Sequence, residues 1–176
     1  MHDEIKIVAA SAEDAEQFEE IEKICWVETY ANEVAGITRE DILSRAWGSP
    51  ARLADKRDMI AGGEGGKMRF WAARSTQGIV GYVGTEQNPD FGELEYIYVL
   101  PEYQNKGIGK KLMKTALTWL DPEKDIRVDV VSFNIRAREF YKKFGFEVQT
   151  EPGDSSTLPT GKRLERVRMV KKPSIT

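Results

Sequence analysis

The chain has 176 residues, a formal net charge of −3 from 26 Lys+Arg against 29 Asp+Glu, and 40% hydrophobic residues. That length fits one domain with a substantial core, so residues 1–176 read as a single domain with its core over about 4–171. The slightly acidic balance argues against nucleic-acid binding as the main role, because phosphate backbones call for a basic surface.

Met1–Glu4 shows no basic-then-apolar signal pattern, and no apolar run is long enough to cross a membrane, so a cytoplasmic location is expected. The sole histidine, His2, sits in this terminal segment, which argues against a His-based triad or a His-rich metal site. Ile5–Ala9 reads as a short strand. Ser11-Ala12-Glu13-Asp14 then looks like a capping box opening a helix with Ala15, Phe18, Ile21, Ile24 and Cys25 at helical spacing, ending near Trp26–Tyr30. Cys25, the single cysteine, has no partner for an internal disulfide and reads as a small buried hydrophobe rather than a nucleophile. Thr38-Arg39-Glu40-Asp41 repeats the cap signal for a second helix through Ile42, Leu43 and Ala46; Pro50 interrupts, and a further helical piece runs from Ala51 to Ile60. Gly62–Gly66 is a connector: no Lys-Ser or Lys-Thr follows it and no clean strand precedes it, so it is not a phosphate loop.

Met68–Ala73 and Ile79–Gly84 read as strands joined by a tight turn at Ser75–Gly78, and Leu94–Leu100 as a third strand. Gln104-Asn105-Lys106-Gly107-Ile108-Gly109 leads into a helix from Gly109 to Leu120. Ile126–Val131 is a strand, Asn134–Phe144 a helix stopped by Gly145, and Phe146–Thr150 and Leu164–Val170 are the last strands. The order predicts an α/β fold with a mixed sheet, in which the central strand–helix–strand unit leaves its two strands parallel.

The segment from Gln104 to Gly109 carries the clearest chemistry. A strand, a glycine turn and a helix N-terminus make an anion site, because unpaired first-turn N–H groups and the helix dipole both favour a negative ligand. Gly107 and Gly109 lack a Cβ, so a phosphate can come close to the backbone. The blander reading is a tight turn with close helix–sheet packing.

Two longer segments turn that site into a resemblance. Glu95-Tyr96-Ile97-Tyr98-Val99-Leu100-Pro101-Glu102-Tyr103-Gln104-Asn105-Lys106-Gly107-Ile108-Gly109 and Asn134-Ile135-Arg136-Ala137-Arg138-Glu139-Phe140-Tyr141-Lys142-Lys143-Phe144-Gly145-Phe146 together resemble the GCN5-related N-acetyltransferase superfamily. Trp26-Val27-Glu28-Thr29-Tyr30 is a weaker third match. The resemblance implies a mixed, mostly antiparallel central sheet with a splayed parallel strand pair, flanked by helices. It also implies acetyl-CoA as cofactor. The turn residues Gln104, Asn105, Lys106, Gly107, Ile108, Gly109 and Lys110 would then cradle the pyrophosphate. The backbone of Ile97, Tyr98 and Val99 would pair with the peptide-like pantetheine arm, a strand added by a ligand, and a β-bulge in this strand would aim an N–H at the thioester carbonyl. Asn134 and Ala137 would complete the cofactor side. Asn134 also suits a helix N-cap, and Lys106, Lys110 and Lys111 also read as solvated helix-start lysines.

The implied activity is transfer of an acetyl group to a primary amine: a polyamine, another small amine, or a peptide or protein amine. An alkylamine has a pKa of about 10.4 and must lose a proton before it attacks. Glu95, Glu93 and Asp129 compete for the base role. Glu93 and Glu95 share one strand face; Glu95 is favoured, since its position resembles the acid of polyamine-acetylating members. Tyr141 is the candidate acid for the leaving thiolate. Trp26, Glu28 and Tyr30 lie where the acceptor enters in relatives, and an acidic residue beside aromatics suits a cationic amine. The rivals are a non-catalytic acyl-CoA sensor and a nucleotide-binding protein using the same turn. Terminal strands such as Leu164–Val170, if exposed, can pair across subunits into a homodimer.

Overall fold

The computed structural model describes residues 4–173, so the reading of His2 falls outside them. Among the described residues fourteen α-helices and strands are formed: β1 Lys6–Ala9, α1 Ala15–Tyr30, α2 Arg39–Leu43, α3 Pro50–Ile60, β2 Met68–Ser75, β3 Gly78–Gln87 and β4 Phe91–Val99 in the first part of the chain. They continue with α4 Ile108–Trp119, β5 Asp125–Val131, α5 Ile135–Lys142, β6 Phe146–Pro152, β7 Ser156–Thr157, β8 Arg163–Leu164 and β9 Arg166–Lys171.

The cap signal at Thr38 is built as read, while Ser11 precedes a short 3-10 turn and α1 starts at Ala15. Asp41 N–H donates to Thr38 Oγ1 at 3.1 Å and Thr38 N–H to Asp41 Oδ2 at 2.8 Å, each satisfying a donor the helix start leaves free. That helix is only five residues long and stops before Ala46. Pro50 opens α3 rather than interrupting it; its fixed φ suits the first helical position, and Ser49 is the cap.

Seven strands form one sheet in the order β1-β2-β3-β4-β5-β9-β6. All neighbours are antiparallel except β4 and β5, which are parallel. α4 and α5 cover one face, over a core that includes Val83, Leu94, Leu112, Met113 and Tyr141. α1 and α3 cover the other, where Phe18 stacks on Tyr82 at 4.0 Å between ring centroids.

The last strand departs from its reading. Leu164 belongs to a separate ribbon, β7–β8, and is fully buried in a cluster with Trp26, Ile42 and Leu158. β9 begins at Arg166 and inserts between β5 and β6, pairing on both edges. It is therefore no exposed edge, and its unpaired N–H and C=O groups cannot recruit a second subunit; the sheet edges are β1 and β6.

Candidate active site

The parallel pair β4/β5 is joined only at Phe91–Glu93 with Asp125–Arg127. Beyond Glu93 the strands part, and a cleft of about 1210 Å³ opens between them. Ile97, Tyr98 and Val99 line one wall and Val128 and Val130 the other. The backbone of this β4 segment thus has no β5 partner, which is what a peptide-like arm needs in order to add to the sheet.

On its other edge β4 pairs with β3, and the register slips once: Thr85 faces Leu94 while Gly84 faces Tyr96, leaving Glu95 as the extra residue of a β-bulge. The slip changes the phase of the strand. Glu93 and Glu95 share a face, as strict alternation requires, but beyond the bulge Tyr96 and Tyr98 take that face, toward α1 and α3. Ile97 and Val99 pack toward α4 instead.

At the far end of β4 the turn closes on the start of α4. Gly107 caps the helix at φ 79°, a left-handed conformation that costs glycine little. No atom lies within 4 Å of where a Gly107 Cβ would stand, so the space in front of the turn is open to a ligand. Gln104 donates from Nε2 to Val99 O at 2.9 Å, tying the turn to the strand. Arg136, in the first turn of α5, donates to Gln104 Oε1 at 2.6 Å and to Asn105 Oδ1 at 3.1 Å. This guanidinium beside the anion turn was not singled out from the sequence; its place two residues after the Asn134 cap was the available signal. An open glycine, a twelve-residue helix N-terminus, a fixed cation and a strand edge without a β5 partner fit a ligand with phosphates at one end and amides along its length.

Gly109, Lys110, Asn134 and Ala137 line the same cleft. Asn134 Oδ1 accepts from Ala137 N–H at 3.1 Å, capping α5. Two turn residues do not face the cleft with their side chains. Ile108 is 3% exposed in the core under α4, and Lys106 stacks over Tyr103 at 5.0 Å.

Tyr141 lines the cleft and is buried, and its hydroxyl makes no hydrogen bond among the described residues. Burial, with Tyr30 nearby, pushes its pKa well up, so it stands as a neutral proton donor. Glu95 is strongly perturbed. Its burial, then the charges of Glu93 and Glu86, push its pKa up to about 7. Carboxylate oxygens of Glu86, Glu93 and Glu95 all lie within 4.8 Å of one another. Glu86, which the sequence reading passed over, is ion-paired to Lys67. Burial and then Asp129 also push Glu93 up. Asp129 is engaged elsewhere: Arg168 donates to it at 2.9 Å and 2.8 Å, and Asp154 N–H donates at 2.7 Å. The arginine comes from β9, so this pairing exists only once the sheet has formed.

The opposite wall comes from α1 and α3. Trp26 is buried and donates its indole N–H to Tyr98 Oη at 2.8 Å. Tyr30 packs edge-on to Trp26 at 5.0 Å, and burial pushes its pKa up to about 12. Glu28 is exposed and lies outside the cleft lining. Cys25 Sγ donates to Val99 O at 3.4 Å, and burial pushes its pKa up to about 12, which leaves it a thiol rather than a nucleophilic thiolate. Behind these residues sits a buried ion network that sequence alone did not reveal: Glu19 and Glu22 of α1 meet Arg52 and Lys56 of α3.

Over residues 18–146 the sequence matches the acetyltransferase (GNAT) family. It is 43% identical over 60 residues to thialysine N-epsilon-acetyltransferase from Bos taurus, a stretch that covers 33% of this chain and 35% of that relative. Among solved structures, the PaiA N-acetyltransferase of Thermoplasma acidophilum, determined in complex with coenzyme A, superposes with a TM-score of 0.70 at 24% identity, over 96% of this chain and 99% of that one. The ribosomal-protein-S18-alanine N-acetyltransferase of Escherichia coli superposes with a TM-score of 0.66 at 15% identity, over 98% and 96% of the two chains. At these identities the structural likenesses speak to the fold. The match over residues 18–146 speaks to the family: the chain belongs to the acetyltransferase (GNAT) family.

Proposed function

We propose that this protein transfers an acetyl group from acetyl-CoA to a primary amine by direct attack, with Glu95 as general base and Tyr141 as general acid. The observation that carries the reading is the pairing of opposite proton habits in one cleft. Glu95, on the bulge, has a pKa of about 7 and exchanges its proton near neutral pH. Tyr141 keeps its proton and has no hydrogen-bond partner for it among the described residues. A base works best when its pKa lies near the working pH, where it is both available and strong enough.

Acetyl-CoA supplies the activated acyl group as a thioester. The turn from Gln104 to Gly109, the first turn of α4 and Arg136 hold its phosphates. The edge of Ile97–Val99 that has no β5 partner orients its amide arm. Glu95 takes the proton from the incoming ammonium group, and Tyr141 gives one to the leaving sulfur. The desolvation that disfavours a Tyr141 phenolate also disfavours a free thiolate at the same place, so the two costs offset one another as the proton moves. Asp129 is left out of the base role, because Arg168 neutralises it. The bovine relative named for acetylating thialysine at Nε supports an alkylamine acceptor.

The test is thiol release from acetyl-CoA in the presence of a panel of alkylamines, diamines and peptides. Turnover with at least one amine is expected, and Tyr141→Phe lowers kcat by about a hundredfold or more with little change in coenzyme A affinity. Tight coenzyme A binding without turnover on any acceptor would favour a cofactor sensor instead.

A further inference from the structure

One cation of the acceptor wall, Arg45, has no carboxylate partner among the described residues. Arg52, Lys56 and Arg45 line the cleft with the carboxylates of Glu22 and Asp55, and Glu19 pairs with Arg52 and Lys56 from α1. The first two cations are used up. Arg52 donates to Glu19 at 2.6 Å and 3.2 Å, and Lys56 reaches Glu19 at 3.0 Å and also Glu22. Tyr82 donates its hydroxyl to Glu22 at 3.2 Å and takes up further acceptor capacity there. Arg45 lines the cleft but forms no ion pair and no side-chain hydrogen bond among the described residues.

Arg45 is nevertheless held in place. Its guanidinium carbon lies 4.1 Å from the centroid of Trp26 and 5.1 Å from that of Trp47. Those two rings meet edge to face at 5.8 Å. Each is pinned by its own indole N–H, Trp26 to Tyr98 Oη at 2.8 Å and Trp47 to Ile42 O at 2.9 Å. Stacking on a ring uses the face of a guanidinium and leaves its N–H edge free, and that edge matches the two oxygens of a carboxylate. Burial and then the charge of Arg52 disfavour the Arg45 cation more than Glu22 and Glu19 favour it, so an anion arriving there relieves a cost already present. The other cleft arginines with no carboxylate partner are occupied: Arg136 by Gln104 and Asn105, and Arg166 by Asp154 O at 3.0 Å.

From this free, preorganised guanidinium facing the same cleft as the Glu95 cluster, we propose that the acceptor is an amino-carboxylate: a small molecule whose amine goes to Glu95 and whose carboxylate is bound by Arg45. The inference rests on the amine acetyltransferase reading above and names its substrate class. Removing the carboxylate from such a molecule leaves Arg45 desolvated and unpaired in the complex, which weakens productive binding.

The test compares ω-amino carboxylates of about four to six carbons with their own carboxamides, which differ only in charge at the far end. In the unaltered enzyme kcat/KM favours the carboxylate by about tenfold or more. In Arg45→Gln this ratio falls toward one, chiefly through a raised KM for the carboxylate, and Arg45→Lys recovers part of it. Equal kcat/KM for the two series in the unaltered enzyme, or a preference for the amide, overturns the proposal while leaving amine acetylation standing. That comparison needs no variant, so misfolding of Arg45→Gln cannot obscure it. Absence of turnover with every amine, despite coenzyme A binding, overturns the acetyltransferase reading and this inference with it.

Discussion

Two pairs of glutamates lie on α1 and β4, and the shifts of Glu19 and Glu95 run in opposite directions. Glu19 and Glu22 on α1 are almost wholly buried; burial would raise Glu19, yet Arg52 and Lys56 hold it at about 2. Glu93 and Glu95 on β4 are less buried, yet burial and mutual charge push Glu95 to about 7. Burial acts in the same direction on both, so the difference lies in the partners. The first pair has two cations within ion-pair distance. Beside the second, the nearest added group is another carboxylate, Glu86, itself claimed by Lys67. The compensated pair is suited to tying α3 to α1, and the uncompensated pair to moving a proton.

The largest expected effect comes from breaking the compensated pair. Lys56→Met leaves buried carboxylates short of a cation and destabilises the fold by about 3–5 kcal/mol, read from the denaturant midpoint. The loss shrinks as pH falls, because an orphaned carboxylate can then protonate. An unchanged midpoint would mean that this network does not hold α3 in place. A smaller effect sharpens the other pair. Glu86→Gln removes one of the charges that raise Glu95 and moves the midpoint of the kcat/KM pH profile down by about 0.5 in pH. A midpoint that stayed in place or moved up would show that Glu86 does not raise Glu95 through its charge.

What was legible in the sequence is what is local. The caps at Thr38 and Asn134, the glycine turn from Gln104 to Gly109 and the strand–helix rhythm each depend on residues a few positions apart. Much of the cofactor side follows from them. The parts that escaped depend on distant chain segments. Arg168 reaches Asp129 only because β9 inserts beside β5, and that same insertion removes the edge that Leu164–Val170 was expected to offer. The ion network needs α3 docked on α1, and the Arg45 site needs Trp26 and Trp47 brought together from separate segments. Alternation put Glu93 and Glu95 on one face, but the bulge that turns Tyr96 and Tyr98 to the same side is a property of pairing with β3. The acceptor side was accordingly read from two aromatics and Glu28, and Glu28 lies outside the cleft lining.

The central claim is that Glu95 is the proton acceptor, poised by burial and like charge. Its direct test is the pH dependence of kcat/KM for the unaltered protein and for Glu95→Gln, over about pH 5.5 to 9. A carboxylate raised to about 7 must lose its proton to act, so activity falls as pH drops through that value. The account predicts a limb with its midpoint near 7 in the unaltered protein. In Glu95→Gln, kcat/KM falls by about 10²–10⁴ and that limb disappears. A Glu95→Gln variant with undiminished kcat/KM and the same limb would contradict it.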